Sequence, residues 1–415
     1  MKILMINHYA LPPSQAGGTR HFSLAKGLIG RGHDVVIVAS GFDHDTRVDR
    51  LGPNELFRRE VLDGVPFLWL KTPGYLGNGP ARLWNMLAFA RAIKTHALAQ
   101  TWDRPDLILG STPHPFAAQA GLRLARRLRV PFVLEIRDVW PQSLIDVMGV
   151  SRHHPIVWLL ARIERELYRG ADHIVTLLPA VKRRVTERGG DPGAITWVSN
   201  GIDLDLVPPV ARPAERDTFT VMFPGTLGVS NALDVMVDAA ILLQERAARL
   251  PRKLDLVLMG TGPEKERIQQ RAQAAGLRNF RILPPVPKRD VYRVLAGADA
   301  FWSCSRDTAL WQHGISFNKL YDFMAMARPT VIGLRAPNNP IDEAGAGIIV
   351  APENAEALAE GLEQLLAMPA ERRWEMGLRG SAYVRAHFDS RALAGKLEGA
   401  LLEAMDRYQG RAHAS

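Results

Sequence analysis

Gly314-Ile315-Ser316-Phe317-Asn318-Lys319-Leu320-Tyr321-Asp322-Phe323-Met324-Ala325-Met326-Ala327-Arg328-Pro329-Thr330-Val331-Ile332 reads as a loop, a short helix, a turn at Arg328-Pro329 and a buried strand. Ser316 is the expected N-cap, which points the amides of Phe317, Asn318 and Lys319 out of the helix start. Such amides form a site for a phosphate oxygen, with the Lys319 ammonium close by. Asp322 falls three residues later on the same helix face. A cation and free amides for a phosphate, with a carboxylate one turn on for sugar hydroxyls, suit a nucleotide-sugar. The same spacing also suits a surface Lys/Asp pair on an ordinary helix. Spacing alone leaves both readings open.

On either side of this run, short apolar stretches alternate with helical patterns, the signature of doubly wound parallel sheets. Candidate strands in the first half are Ile3–Asn7, Asp34–Val38, Leu107–Gly110, Phe132–Ile136, His173–Thr176 and Thr196–Val198. In the second half they are Phe219–Phe223, Asp255–Met259, Arg281–Leu283, Ala300–Trp302, Thr330–Gly333 and Gly347–Val350. Between the sets lies the stiff, Pro-rich linker Val207-Pro208-Pro209-Val210-Ala211-Arg212-Pro213. This pattern predicts an α/β protein of two Rossmann-like domains, residues 1–206 and 207–384, with ligands in a cleft at the carboxyl ends of both sheets. The segment from about Ser381 to Tyr408 reads as helix, and residues from about 385 to 415 are expected to pack back on the first domain.

The chain has 415 residues, 47% hydrophobic and 23% charged, the composition of an ordinary globular enzyme. A single cysteine, Cys304, rules out an internal disulfide and reads as a packing residue. No Cys/His cluster has metal-ligand spacing, and Asp43-His44-Asp45 and Asp203-Leu204-Asp205 read as turn or helix-start carboxylates rather than a metal pair. The strand-like N-terminus is interrupted by polar residues too early for a signal peptide, and no run approaches a membrane span, so a cytoplasmic protein is expected. The formal charge of +9 favours phosphorylated small molecules, anionic lipid surfaces or nucleic acid. No zinc-finger, RRM or basic-zipper pattern supports the last. The basic stretch Ala81–Ala99, with Leu83, Trp84, Leu87, Ala90, Ala92 and Ile93 among Arg82, Arg91 and Lys94, either lies on a membrane interface or covers a sheet with one apolar stripe.

Several loops sit where such domains keep their chemistry. After the first strand, His8 to Thr19 carries Gly17-Gly18 ahead of a helix, where backbone amides can approach an anion or a sugar ring. Arg20, in the first helical turn, adds a charge-assisted donor. Ser111-Thr112-Pro113-His114 and Glu135-Ile136-Arg137-Asp138-Val139-Trp140-Pro141 follow two further strands. His114 is an acid/base candidate, and Arg137 or Asp138 a candidate to face a reacting sugar. The competing reading is a loop-supporting ion pair. Gly225-Thr226-Leu227-Gly228 and Gly260-Thr261-Gly262-Pro263-Glu264 are Gly turns after strands; neither completes the dinucleotide fingerprint.

Taken in order, these pieces resemble the retaining GT-B glycosyltransferases of sequence family four. The resemblance is carried by Gly17-Gly18, Gly32-His33-Asp34-Val35, Ser199-Asn200-Gly201-Ile202-Asp203, Gly225-Thr226-Leu227-Gly228, Gly260-Thr261-Gly262-Pro263-Glu264, Val286-Pro287 with Ala298-Asp299-Ala300, the opening run and Glu343-Ala344-Gly345. The Glu135–Pro141 and Ser316–Leu320 blocks look like the bacterial branch that builds surface polysaccharides, which includes transferases of N-acetylated aminosugars such as fucosamine. The resemblance implies a nucleotide diphosphate sugar, UDP-linked, in the C-terminal domain, and a saccharide or polyprenyl-diphosphate-linked acceptor in the N-terminal domain. It also implies retention of configuration without a bound metal or other cofactor, and work at the inner face of the cell membrane.

By that comparison Asp322 binds ribose, Ser316, Asn318 and Lys319 the diphosphate, and Gly17 and Gly18 the reacting sugar. Pro285 and Val286 contact the base, and Gly225, Thr226 and Gly260 complete the donor site. Arg20 and His114 are expected on the acceptor side, and Arg137, Asp138 and Lys319 at the chemistry. The sequence departs from the family at five points. Gly314 stands where a glutamate is usual and Asp322 where a second one is. Thr226 and Asn231 stand where an Arg and a Lys often hold the diphosphate, and Arg137 replaces a site histidine. A GT-B-fold sugar-nucleotide epimerase and a donor-binding subunit without turnover are the alternatives.

Overall fold

In a computed structural model of the chain, the structure describes all residues except Ala16, Gly17, Asp45, Asn78, Ala99, Asp103, Val147, Met148 and Ser415. The chain divides into two compact units. The first comprises Met1–Pro12, Gly17–Asn200 and Ser390–Ser415, the second Pro13–Ala16 and Gly201–Asp389.

The first unit is built on strands β1 (Lys2–Ile6), β2 (Asp34–Ser40), β3 (Phe57–Leu62), β4 (Val65–Leu70), β5 (Leu107–Ser111), β6 (Phe132–Ile136), β7 (His173–Thr176) and β8 (Ile195–Trp197). Its helices are α1 (Arg20–Ile29), α2 (Pro80–His96), α3 (Pro115–Leu128), α4 (Gln142–Asp146), α5 (Pro155–Gly170) and α6 (Lys182–Glu187). The sheet order is β3-β4-β2-β1-β5-β6-β7-β8, parallel except for β3. Ile3, Leu4, Met5 and Ile6 of central β1 are each 0% exposed, as a strand covered on both faces requires. The step from β1 to β2 runs toward one edge of the sheet and the steps from β4 through β7 toward the other. Right-handed crossovers therefore place α1 on one face and α2, α3 and α5 on the opposite face.

The second unit repeats the plan. Its strands are β9 (Thr218–Pro224), β10 (Lys253–Met259), β11 (Phe280–Leu283), β12 (Ala300–Cys304), β13 (Thr330–Gly333) and β14 (Gly347–Val350), all parallel, in the order β11-β10-β9-β12-β13-β14. Around them lie α7 (Leu233–Glu245), α8 (Lys265–Ala274), α9 (Lys288–Leu295), α10 (Asn318–Ala325), α11 (Pro340–Glu343), α12 (Ala355–Ala367) and α13 (Ala370–His387). The last helix, α14 (Ser390–Ala414), belongs to the first unit and packs on α1. Each sheet reverses its winding next to its first strand, between β1 and β5 and between β9 and β12. Such switch points open crevices at the strands' carboxyl ends.

All twelve sequence-read strands are present within a few residues, and the structure adds the β3–β4 hairpin. Its turn, Asp63-Gly64, has φ of 44° and 81°, the paired positive values that a two-residue hairpin turn demands. The single C-terminal helix expected from Ser381 is instead two, parted at Phe388-Asp389. The basic helix does not carry one apolar stripe. Met86, Phe89 and Ile93 of α2 are buried, whereas Trp84 and Leu87 are 63% and 38% exposed; Ala99, its expected end, lies outside the described residues.

Candidate functional site

In the first unit, residues after four parallel strands line a pocket of about 200 Å³. Asn7 to Leu11 follow β1, Ser40 ends β2 with Phe42, Asp43 and His44 beyond it, Pro113 follows β5, and Arg137 and Asp138 follow β6, with Gly18 also in the lining. Gly17, its expected partner in sugar binding, lies outside the described residues.

Beneath this pocket a buried carboxylate organises the floor. Glu135, 1% exposed, accepts bonds from Arg20 Nε at 2.8 Å, His21 Nε2 at 2.7 Å and Ser111 Oγ at 2.6 Å. Burial alone would raise its carboxyl, but the adjacent His21 and Arg20 hold it well below the usual carboxylate range. Burial pushes the His21 pKa down against the pull of Glu135. With Nε2–H committed to Glu135, His21 Nδ1 accepts from an Arg137 guanidinium N–H at 3.4 Å. Arg137 thus stands in the pocket wall beside Asp138. Asp138 is exposed in that wall, and the protein around it raises its carboxyl pKa despite Arg137.

The two residues expected on the acceptor side are placed otherwise. Arg20, 6% exposed, gives its guanidinium to Glu135 and to the carbonyls of Val198 and Ser199, so it ties α1 to the last strand. His114 is 0% exposed; its Nδ1 caps α3 at the Ala117 amide, and its Nε2 donates to His8 Nδ1 at 2.8 Å. Burial pushes its pKa down to about 3, which removes it as an acid/base near neutral pH. His44, in the pocket wall and held down at about 4 by burial, is a neutral imidazole there that the sequence reading missed.

In the second unit the corresponding switch point lies between β9 and β12. Lys319 enters it from α10. Its ammonium donates to Asn231 Oδ1 at 2.6 Å and lies 4.5 Å from the Phe223 ring centre and 5.6 Å from that of Phe317. Burial pushes its pKa down to about 7. Asn231 in turn donates to the Thr226 carbonyl at 2.7 Å.

Asp322 does not pair with Lys319. Its carboxylate takes both oxygens to Lys288 Nζ, at 2.5 and 2.6 Å, and accepts from Tyr292 O–H at 2.7 Å. The surface Lys319/Asp322 pair is therefore excluded, and Asp322 instead belongs to a cluster with Lys288 and Tyr292. Lys288 went unseen because 34 residues separate it from Asp322. Ser316 is not the cap: α10 starts at Asn318 with Phe317 at the N-cap and no side-chain cap bond. Ser316 Oγ lies instead 3.4 Å from Tyr321 Oη, and Asn318 is exposed at the helix start.

The glycine turns also differ from expectation. Gly225 N–H donates to the Met259 carbonyl at 2.9 Å and Gly260 N–H to that of Leu283 at 3.0 Å, extending the sheet ladder. A Cβ on Gly260 would sit 1.9 Å from the Gly225 oxygen, so these glycines serve close loop packing rather than offering amides to a ligand. Thr226 is exposed between them, and Pro285 and Val286 follow β11 at the same end of the sheet. Among the described residues no group of three or more His, Cys, Asp or Glu could hold a metal ion, and no helix is long and apolar enough to cross a membrane.

Residues 16–201 match the family model described as a glycosyl transferase 4-like domain, and residues 218–368 the one described as glycosyl transferases group 1. Over 390 residues the chain is 24% identical to the putative colanic acid biosynthesis glycosyl transferase WcaI of Escherichia coli (strain K12), spanning 89% of this chain and 93% of that relative. Among solved structures, sucrose-phosphate synthase from Thermosynechococcus elongatus has a TM-score of 0.74 at 18% identity, covering 100% of this chain and 99% of that one. HepE from Anabaena, in complex with UDP and glucose, has a TM-score of 0.68 at 15% identity, covering 97% and 99%. With one model on each half and two Rossmann-like units beneath them, the chain belongs to the family-four glycosyltransferases of the GT-B fold.

Proposed function

We propose that this transferase moves an N-acetylated aminosugar from a UDP-linked donor to a saccharide or lipid-linked saccharide during surface polysaccharide synthesis, with retention of configuration and without a metal. The observation that carries the donor half is Lys319, an amine held next to neutral Asn231 and two aromatic rings at the switch point of the second unit. A diphosphate brought there replaces lost water with a charge-assisted bond, and that bond strengthens as the leaving group gains charge. Asp322, Ser316, Asn318, Thr226, Pro285 and Val286 form the surrounding donor surface. In the first unit, Arg137 and Asp138 present a donor and an acceptor to a sugar's hydroxyls. The named relatives support this reading: WcaI is described in colanic acid biosynthesis, and HepE was solved with UDP and glucose.

Thermal-shift screening against UDP-, GDP- and dTDP-sugars tests the donor, because a ligand specific to the folded state raises apparent stability. A shift with UDP-sugars is expected, and no shift with any of the three would remove the donor assignment. NMR of the product then reads the anomeric configuration, and donor incubated alone reports any epimerisation.

A further inference from the structure

We infer that the face formed by α2, α3 and α5 docks on a lipid bilayer carrying anionic headgroups. This rests on the proposed reading of the first unit as the acceptor side, and names the surface at which a lipid-linked acceptor is met.

Two of these helices carry the same stripe. On α2, Trp84, Leu87, Arg91 and Lys94 recur at helical spacing, and all four are exposed. On α5, Trp158, Arg162, Arg165 and Arg169 do the same, with exposed Leu159 beside the tryptophan. Trp84 and Trp158 are 63% and 66% exposed and are the exposed tryptophans among the described residues. Each begins its helix, and each is followed by cations roughly 10 Å further along the axis. Because α2 and α5 both follow parallel strands, the two indoles lie at the same end of the sheet, the end at which the pocket opens. Leu76, in the loop leading into α2, is 81% exposed and adds to the apolar tip.

Between them α3, packed against both, presents exposed Arg123 and Arg127. The three helices carry nine Arg and Lys against two Glu, a large part of a net charge of +9. Glu164 is 3% exposed and bound to Arg184, so it does not offset the face, whereas Glu166 pairs with Arg126 and lies 4.0 Å from Arg123 and offsets part of the charge on α3. Indole and leucine at the tip with cations one to two turns behind is the order a bilayer interface favours. The rings sit among headgroups, and the guanidinium groups meet lipid phosphates. A nucleic acid would use the cations but leave the apolar tips in water.

The test is co-sedimentation of the full chain with vesicles of phosphatidylcholine alone or mixed with phosphatidylglycerol. Binding to the mixed vesicles should exceed binding to neutral ones by about tenfold and fall with added salt. The variant Trp84→Ser/Trp158→Ser should weaken it by about tenfold. Charge reversal by Lys94→Glu/Arg162→Glu/Arg165→Glu should weaken it by about a hundredfold. Both variants should keep the wild-type circular-dichroism spectrum and cooperative urea unfolding, which shows that the first unit folds, as well as wild-type UDP affinity. No binding, equal binding to neutral vesicles, variants that bind like wild type, or displacement by RNA at stoichiometric amounts would each overturn the inference. Failure of vesicle binding with sugar transfer to a water-soluble acceptor intact sinks the docking surface alone. Loss of transfer with vesicle binding intact sinks the functional reading instead.

Discussion

Lys319 Nζ donates to Asn231 Oδ1 at 2.6 Å, joining α10 to the loop after β9. By the family resemblance Asn231 stands where a lysine is usual, and a second ammonium there would repel the first. The neutral amide instead steadies an amine that burial has brought to a pKa of about 7. On the proposed reading, recognition of the donor diphosphate falls largely on this one side chain.

That amine makes donor binding pH-dependent. In the free protein Lys319 loses its proton as pH rises through about 7, and the diphosphate favours the protonated form. UDP affinity should therefore fall between pH 7.5 and 9.5, by up to about tenfold per unit. At pH 8 the nucleotide's phosphates are already ionised, so calorimetry in buffers of different ionisation enthalpy should show proton uptake by the protein. The same depressed pKa makes the free protein gain stability as pH rises from about 7, because the unfolded lysine still binds its proton there.

Asp322 and Lys288 should behave as a coupled pair. Asp322→Asn leaves the Lys288 ammonium half-buried without its counter-charge, and should cost roughly 2–3 kcal/mol in denaturant unfolding. Lys288→Met/Asp322→Asn should recover about half of that, and additive losses would show the two to be independent.

How much of this was legible in the sequence follows from the range of each interaction. The parallel strands showed themselves because β1, β2 and β9 are continuous apolar runs, a local signal. The β3–β4 hairpin carried a local signal too, Asp63-Gly64, which alternation with helices obscured. Ser316 had the chemistry of a cap, but the backbone continues past it to a helix start at Asn318, with Ser316 Oγ beside Tyr321 Oη and Phe317 against Trp311. Lys288–Asp322, Asn231–Lys319 and Glu135–Arg20 join residues 34, 88 and 115 positions apart. Only the folded sheet brings those together.

Glu135 should be a stability residue before it is a catalytic one. Glu135→Gln removes the charge facing Arg20 and should destabilise the first unit by about 3–5 kcal/mol in urea. With its pKa held far down in the fold, its contribution is full above the unfolded carboxylate value and fades as pH falls toward the folded one. The wild type should therefore lose its advantage over the variant in acid. A constant difference between them from pH 7 to pH 3 would refute this assignment.

Gly314 cannot simply be reverted to the family's glutamate. Its φ is 97°, in the region that favours glycine. Gly314→Glu should cost about 1–2 kcal/mol and give no gain in transfer rate. A faster enzyme would mean that the loop accepts a side chain this backbone does not allow for.

The most direct measurement is UDP titration of wild type against Lys319→Met, which keeps the buried stem and removes the amine. Wild-type affinity should exceed the variant's by about 10- to 100-fold at pH 7, the worth of a charge-assisted bond, and the variant's residual affinity should be independent of pH above 7.5. Equal affinities, or an unchanged pH dependence in the variant, would contradict the claim that Lys319 holds the donor diphosphate.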